Sequence, residues 1–217
     1  MMEFSMAGKH FLANEEGKKP WVYDDGDGKP IVTGKVVRGR PTFGIGHLVK
    51  PGEKFPMFPK EATDEFIYAL LDKDIAWAVD IVNNRVKVPL TQNQFDALVC
   101  FVFNVGDGRL PRERRGTAGF VPGFQNSTLL FELNQGHYQA AADHFLDWKY
   151  DDHKKPVLLP RRQRERALFL REAALLPLAP SAKKEPEKKE PVKKAAPTSG
   201  GKSSKAQQAG SQKPRGK

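Results

Sequence analysis

Apolar side chains recur at three- and four-residue intervals from about residue 60 to 83, which is the pattern of one helix face. The positions that share this face are Ile67, Leu71, Ile75, Ala78 and Val82. A helix of this length spans about 30 Å, because each residue adds about 1.5 Å. The periodicity therefore predicts a long helix that can link two lobes.

A short helix and a β-hairpin are predicted before this linking helix. Residues 9–16 have the pattern of a helix that ends near Gly17. Residues 20–49 are rich in glycine, aspartate and β-branched residues, and the stretch KPIVTGKVV indicates a hairpin around Thr33 and Gly34. These elements predict a small N-terminal lobe.

The chain after the linking helix is predicted to be helical. Thr91 and Gln94 form a capping box at the start of a helix that is apolar nearly all round, as in helices buried on most sides. Two shorter helices follow, the first capped near Asn126 or Ser127. A final helix, basic at one end, begins near residue 161. The fold class is therefore α+β.

The composition changes at about residue 179. Residues 181–217 carry ten lysines, one arginine and three glutamates, a net charge of +8 out of +10 for the whole chain. They contain no aromatic residue, so they cannot bury enough surface to offset the entropy of ordering. We expect a disordered basic tail at 179–217 after a domain at 1–178, in which the N-terminal lobe covers about 10–60, the linking helix about 60–83 and the helical lobe about 84–176.

The cysteine content and the apolar segments limit the cellular context. Cys100 is the only cysteine, so no disulfide can form within the chain. The N-terminus lacks the apolar segment of a signal peptide, and no stretch approaches the roughly 20 apolar residues of a membrane span. We expect synthesis in the cytoplasm without a signal peptide or a membrane span.

The turn RPTFGIGHLVK, residues 40–50, does not match a phosphate or metal site. A dinucleotide fingerprint requires a third glycine where Val49 stands. His47 has no second His or Cys at ligand spacing. The run DDGDG resembles the start of a calcium loop, but Lys29 and Val36 occupy ligand positions. We expect no metal and no cofactor.

The remaining chemistry consists of carboxylates and a hydroxyl near the glycine turn. Glu16 precedes Gly17, aspartates follow Tyr23, and Thr42 stands just before the turn. Glycoside hydrolysis uses one carboxylic acid to protonate the leaving oxygen and a second carboxylate to activate water. This set favours such a reaction.

These motifs, in this order, resemble those of the phage-type lysozymes, the family 24 glycoside hydrolases. The matching pieces are Glu16-Gly17, Tyr23-Asp24-Asp25 and the run Thr42 to Leu48, which reads TFGIGHL. The similarity continues through LTQNQFDALVCFVFNVG and RRQRERALFL and covers about residues 10–172. The resemblance implies a two-lobed lysozyme-like fold.

The resemblance also implies roles for individual residues. Glu16 matches the general acid, Asp25 the second carboxylate, and Thr42 a residue that helps to place the attacking water. Other matching positions line the saccharide cleft: Leu48, Phe103 and Ser127. Three further sets of matching residues support the site. Arg161 matches the partner of Glu16, with Arg162 and Arg164 as alternatives. The others are the structural pair His47 and Asp74, and Asn104.

One departure from the family pattern leaves the second carboxylate open. Sixteen residues separate Asp25 from Thr42, more than is usual in the family, and the additional residues are expected to lengthen the hairpin beside the cleft. Asp24 and Asp27 therefore compete with Asp25 for this role. The two tryptophans Trp77 and Trp148 are expected to pack in the core or between the lobes, with sugar stacking as the alternative for one of them.

The resemblance implies a muramidase that cleaves the β-1,4 bond between N-acetylmuramic acid and N-acetylglucosamine in peptidoglycan with inversion. A lytic transglycosylase and a non-catalytic peptidoglycan-binding module are the alternatives. We expect a monomer that acts on the cell wall after release or delivery, as a phage endolysin or as an injected bacterial toxin. The basic tail is expected either to solubilise the chain or to dock on an anionic envelope surface, and no specific nucleic acid is expected as a partner.

Overall fold

The structure is a computed structural model that describes residues 1–108, 121–151 and 153–171. The predicted basic tail at 179–217 lies outside these residues. Within them, the chain forms helices and one small three-stranded sheet, so the predicted α+β class is confirmed. No helix in the described part of the chain is both long and apolar enough to cross a membrane.

Three antiparallel strands form the sheet in the order β1-β2-β3. The strands are β1 (Lys19–Asp24), β2 (Pro41–Gly44) and β3 (His47–Leu48). Tyr23 is paired with Thr42 across β1 and β2. The turn between β2 and β3 contains Gly46 with φ of 74°, a left-handed conformation that favours glycine. This explains the glycines of the GIGH motif.

Of the hairpin predicted around Thr33 and Gly34, the turn forms but the two strands do not. A turn does form there, with Lys35 N donating to Val32 O at 3.0 Å. The residues on either side do not pair as strands, and the hairpin is formed instead by β1 and β2. Residues 25–40 are therefore a long loop between these strands rather than an extension of the sheet.

The linking helix α2 (Asp64–Arg85) follows its predicted pattern. Thr63 caps its first turn, and its buried residues are those of the predicted face: Ile67, Leu71, Ile75, Ala78 and Val82. The helix contacts β2 on one side and the next helix, α3 (Gln92–Val105), on the other. It thus joins the sheet to the helical part of the molecule, as expected.

Helix α3 is the centre of the helical part. It begins with the predicted Thr91–Gln94 capping box, and nine of its residues are buried. Around it pack α1 (Met6–Glu16), α2 and the last helix, α6 (Leu159–Leu170). Two shorter helices, α4 (Thr128–Asn134) and α5 (Tyr138–Asp143), complete the layer, and Ser127 is the N-cap of α4 as predicted.

Candidate active site

Glu16 is the last residue of α1, at the point where the chain leaves the helix for the sheet. Gly17 has φ of 80°, so the helix ends there and the backbone turns toward β1. The Glu16 side chain is 25% exposed, and its Oε1 accepts a hydrogen bond from Arg161 Nη1 at 2.6 Å. The carboxyl group of Glu16 is thus accessible to solvent and is held in place by Arg161 of α6.

The structure distinguishes the three candidate arginines of α6. Arg161 pairs with Glu16, whereas Arg164 donates to both oxygens of the neighbouring Glu15 at 2.5 and 2.7 Å. Arg162 is fully buried, and its Nη2 donates to Asn104 Oδ1 at 2.7 Å. Only Arg161 contacts the predicted catalytic acid.

Glu165 is a buried carboxyl group beneath this pair that the sequence analysis missed. Its Oε1 accepts from Arg161 Nε at 3.0 Å, and its Oε2 lies 3.1 Å from Arg162 Nη1. The second contact lacks hydrogen-bond geometry, so among the described residues Oε2 has no hydrogen-bond partner. Burial raises the pKa of Glu165 to about 7, although both guanidinium groups oppose this effect.

The i, i+4 spacing of Arg161 and Glu165 was visible in the sequence. Such spacing is typical of an intrahelical ion pair but gives no information on burial, so the burial of Glu165 within the basic run RRQRER was not predicted. The guanidinium of Arg161 therefore bridges two carboxyl groups, one partly exposed and one enclosed.

Asp24 is buried at the end of β1 and binds the backbone of the long loop. Its oxygens accept hydrogen bonds from the N–H groups of Gly26 (2.9 Å), Arg38 (2.8 Å) and Gly39 (2.7 Å). The hydrogen bond from Arg38 and the other backbone donors lower the pKa of Asp24 against the effect of burial. Its carboxylate is therefore occupied in holding the two ends of the loop together.

Asp25 and Asp27 lie in the loop itself. Asp25 is 33% exposed, and its oxygens accept from Arg40 N at 2.5 Å and approach Arg40 Nε at 3.4 Å. Asp27 accepts from Lys29 N and Lys35 Nζ, both at 2.9 Å, and these contacts lower the pKa of Asp27. Asp27 thus stabilises its own turn, while Asp25 is held at the base of the loop.

The charges of the two predicted catalytic carboxylates both affect the pKa of Tyr23. The Tyr23 side chain is buried, and its pKa is raised first by this burial and then by the charges of Asp25 and Glu16. The charges of both carboxylates thus act in the same direction on the pKa of this phenol. Thr42, the cross-strand partner of Tyr23, is buried and donates through Oγ1 to Arg40 O at 3.2 Å.

A cleft of about 240 Å³ lies between the β2–β3 turn and helices α2 and α3, and Glu16, Asp25 and Thr42 are not among the residues that line it. Two predicted saccharide contacts, Leu48 and Phe103, line it, and the Leu48 side chain is 40% exposed. The complete lining consists of Ile45, Gly46, His47, Leu48, Lys50, Asp74 and Phe103. The structure therefore brings together these two predicted contacts from β3 and α3.

The predicted pair of His47 and Asp74 holds the turn against α2. His47 Nδ1 lies 2.9 and 3.0 Å from the two oxygens of Asp74. Its Nε2 lies 3.1 Å from Glu53 Oε2, a partner that the sequence analysis did not identify. With carboxylates at both nitrogens, the imidazole is fixed in place.

Ser127 and Asn104 stand outside the 240 Å³ cleft. The Ser127 hydroxyl donates to Phe124 O at 2.8 Å and accepts from Leu130 N at 3.1 Å, so its hydrogen bonds cap α4. Asn104 lines a second groove of about 660 Å³, together with Trp148. Trp148 also packs edge-on against Phe101, as expected of a packing residue.

Comparison with known proteins matches most of the chain to a single protein family. The model of the phage lysozyme family matches residues 13–165. The endolysin of Salmonella phage P22 is 39% identical over 170 residues, which are 78% of this chain and 99% of that protein.

Solved structures agree with this match. A crystal structure of a mutant P22 lysozyme, 39% identical, has a TM-score of 0.60 and covers 78% of this chain and 99% of its own. The muramidase domain of SpmX from Asticaccaulis excentricus, 30% identical, has a TM-score of 0.56 over the same shares. The chain belongs to the phage lysozyme family.

Proposed function

We propose that this protein is a peptidoglycan hydrolase of host-cell lysis and that it acts as a muramidase. It cleaves the β-1,4 bond between N-acetylmuramic acid and N-acetylglucosamine in the cell wall. Glu16 donates a proton to the leaving glycosidic oxygen, and Asp25 accepts a proton from the water that attacks the anomeric carbon from the opposite face. The anomeric configuration is inverted.

The position of Glu16 is the observation that carries this proposal. Its carboxyl group stands at a helix end, partly exposed, with one oxygen held by Arg161 at 2.6 Å. A general acid needs both an approach for the leaving oxygen and a fixed orientation. The guanidinium also stabilises the carboxylate that remains after the proton has been transferred.

The hydrogen bonds of the three aspartates support Asp25 as the second carboxylate. Asp24 is fully buried and occupied by three backbone donors, so a water molecule has no access to it. Asp27 is bound to Lys35 within its own turn. Asp25 is partly exposed at the base of the loop, where Arg40 N and Nε hold its oxygens. The two carboxyl groups of an inverting enzyme leave room for one water between them.

Thr42 fits a role in placing that water. Its hydroxyl proton is directed to Arg40 O, and the backbone N–H of the same Arg40 donates to Asp25. Because the Thr42 hydroxyl proton is used in the hydrogen bond to Arg40 O, the hydroxyl oxygen can accept a hydrogen bond from water through its lone pairs. Thr42 and Asp25 would then hold the attacking water from two sides.

The decisive experiment compares Glu16→Gln with Glu15→Gln. Each glutamate is paired with an arginine of α6, but only Glu16 is assigned the role of acid. We expect the Glu16 variant to lose about 10²- to 10⁴-fold in the rate of release of reducing ends from purified peptidoglycan. The Glu15 variant should keep most of its activity. A Glu16 variant that degrades the wall at the wild-type rate refutes the proposal.

The aspartates are tested in the same assay. Asp25→Asn should abolish most activity with little change in the melting temperature. Asp27→Asn should retain activity, and Asp24→Asn should lower the melting temperature because it disturbs the loop anchor. Loss of activity in the Asp27 variant together with full activity in the Asp25 variant would reassign the second carboxylate.

Product analysis separates hydrolysis from the alternatives. A muramidase yields reducing N-acetylmuramic acid ends, initially as the α-anomer, whereas a lytic transglycosylase yields anhydro ends. Binding to purified walls without release of fragments would identify a non-catalytic binding module. We expect reducing ends only.

The basic segment 181–217 is proposed to dock the enzyme on anionic envelope polymers through its net charge of +8. Deletion of these residues should reduce lysis of whole cells more than hydrolysis of purified wall, and salt should diminish the difference. Equal losses in both assays contradict docking.

We further propose that the enzyme acts as a monomer, which light scattering on the intact protein would test.

A further inference from the structure

Trp77 is exposed, whereas it was expected to pack in the core or between the lobes, with sugar stacking as the alternative for one of the two tryptophans. Its side chain is 42% exposed, while the following residue, Ala78, is completely buried. Trp77 follows Asp74 by three residues on α2, so both project from the same side of the helix. Because Asp74 lines the 240 Å³ cleft, Trp77 stands at the margin of that cleft.

A second aromatic ring connects Trp77 directly to the cleft. The rings of Trp77 and Phe103 are stacked, with centroids 6.3 Å apart and planes inclined by 28°. Phe103 lines the cleft together with Leu48, which is 40% exposed. The three side chains form one apolar surface, which we term the aromatic ledge (Leu48, Phe103 and Trp77).

The ledge matches the chemistry of a sugar chain. A pyranose ring has polar edges and an apolar face of C–H groups, and that face packs well on an aromatic ring. The cleft also contains polar side chains, among them His47 and Asp74, which hold each other in place through a 2.9 Å contact. A surface with one apolar side and a few oriented polar groups is typical of binding sites for such amphipathic ligands.

The length of the substrate explains why this surface extends beyond the cleft. A glycan strand is a polymer, so sugar rings that follow those held in the cleft must lie on the adjoining surface. The cleft has a volume of only about 240 Å³, and the ledge continues it along α2. The exposed indole thus stands where the strand would leave the cleft.

We propose that Trp77 forms an additional saccharide subsite, in which an N-acetylhexosamine ring of the glycan strand stacks on the indole. The inference rests on the proposed activity on peptidoglycan glycan strands. It makes Trp77 a residue that binds substrate and sets preference for long strands, without a part in proton transfer.

The test uses peptide-free glycan strands of defined length and the variants Trp77→Ala and Trp77→Phe. For long strands, Trp77→Ala should raise KM about tenfold, equivalent to about 1.4 kcal/mol, with kcat within twofold of wild type. Trp77→Phe should restore part of the affinity, because phenylalanine keeps an aromatic face. For strands too short to reach Trp77, KM should be unchanged. Phe131→Ala removes another exposed aromatic ring, 62% exposed on α4, and should not change KM.

Three outcomes would overturn this proposal. One is an unchanged KM of Trp77→Ala on long strands, and another is a fall in kcat and melting temperature with KM unaltered, which would indicate a structural role. The third is an effect seen only with cross-linked, peptide-bearing wall, which would assign the surface to stem peptides. Wild-type protein that releases no fragments from any strand would instead refute the proposed function, so the two failures are distinguishable.

Discussion

Glu165 should make this protein less stable as the pH rises, which is opposite to the usual effect of a carboxyl group. The side chain is completely buried, and burial raises its pKa from 4.5 to about 7. Between these two values the native state keeps the proton, while the unfolded chain releases it. Unfolding in this range therefore liberates a proton, and the free energy of unfolding falls as the pH rises.

The magnitude follows from the difference between the two pKa values. A pKa change of one is equivalent to about 1.4 kcal/mol. A carboxyl group whose pKa moves from 4.5 to about 7 thus accounts for about 3 kcal/mol. This stability is fully present below pH 4.5 and is lost once the pH exceeds about 7.

The experiment compares wild type with Glu165→Gln by urea denaturation at several pH values between 4 and 8. Glutamine keeps the acceptor for Arg161 Nε but does not ionise. The stability of the variant relative to wild type should therefore increase by about 3 kcal/mol over this range. Groups such as Asp24, whose pKa is lowered, contribute the opposite trend to both proteins and cancel in the comparison.

Glu61→Gln serves as the control, because it removes one charge at an exposed position. Its stability relative to wild type should change little with pH. A pH-independent difference between Glu165→Gln and wild type would refute the reasoning. So would a variant that becomes relatively less stable as the pH rises, because the two arginines would then keep Glu165 ionised throughout.

Three other substitutions or treatments test neighbouring features. Arg161→Ala leaves Glu165 without the guanidinium that hydrogen-bonds to it, and urea denaturation at pH 8, above the Glu165 pKa of about 7, should show a loss of about 3–5 kcal/mol; a loss below about 1 kcal/mol at this pH would contradict the assigned network. Gly39→Ala would place a Cβ 2.0 Å from Asp25 Oδ1, so both the melting temperature and the hydrolysis rate should fall, and unchanged values of both would exclude this crowding. Cys100 is buried and its pKa is raised well above the ordinary value, so a thiol reagent should modify it only in denaturant; rapid labelling of the native protein would argue against this burial.

The elements that were predictable from sequence are those decided by neighbouring residues. The buried face of α2, the capping box at Thr91 and the end of α1 at Gly17 depend on spacing, on a side chain three residues away and on one backbone conformation. Each of these is contained within a few residues. The structure reproduces them for this reason.

The features that escaped prediction depend on distant partners. The predicted hairpin strands of KPIVTGKVV, residues 29–37, do not form, and Asp24 instead binds backbone donors from both ends of the loop. The stacking of Trp77 on Phe103 joins two different helices, so it could not be predicted from local spacing. The pairing of Arg161 with Glu16, 145 residues away, was expected only from the family resemblance, since no local pattern relates them.

The anchoring of both ends of the 25–40 loop by Asp24 also makes its tip a permissive place for engineering. Asp24 fastens the strand-proximal ends, so residues added at the tip leave these contacts in place. The exposed turn at Thr33 and Gly34 is therefore suited to accept a grafted peptide, such as a recognition tag for a chosen bacterial surface. Natural members of the family could acquire new accessory segments at the same point without disturbing Asp25.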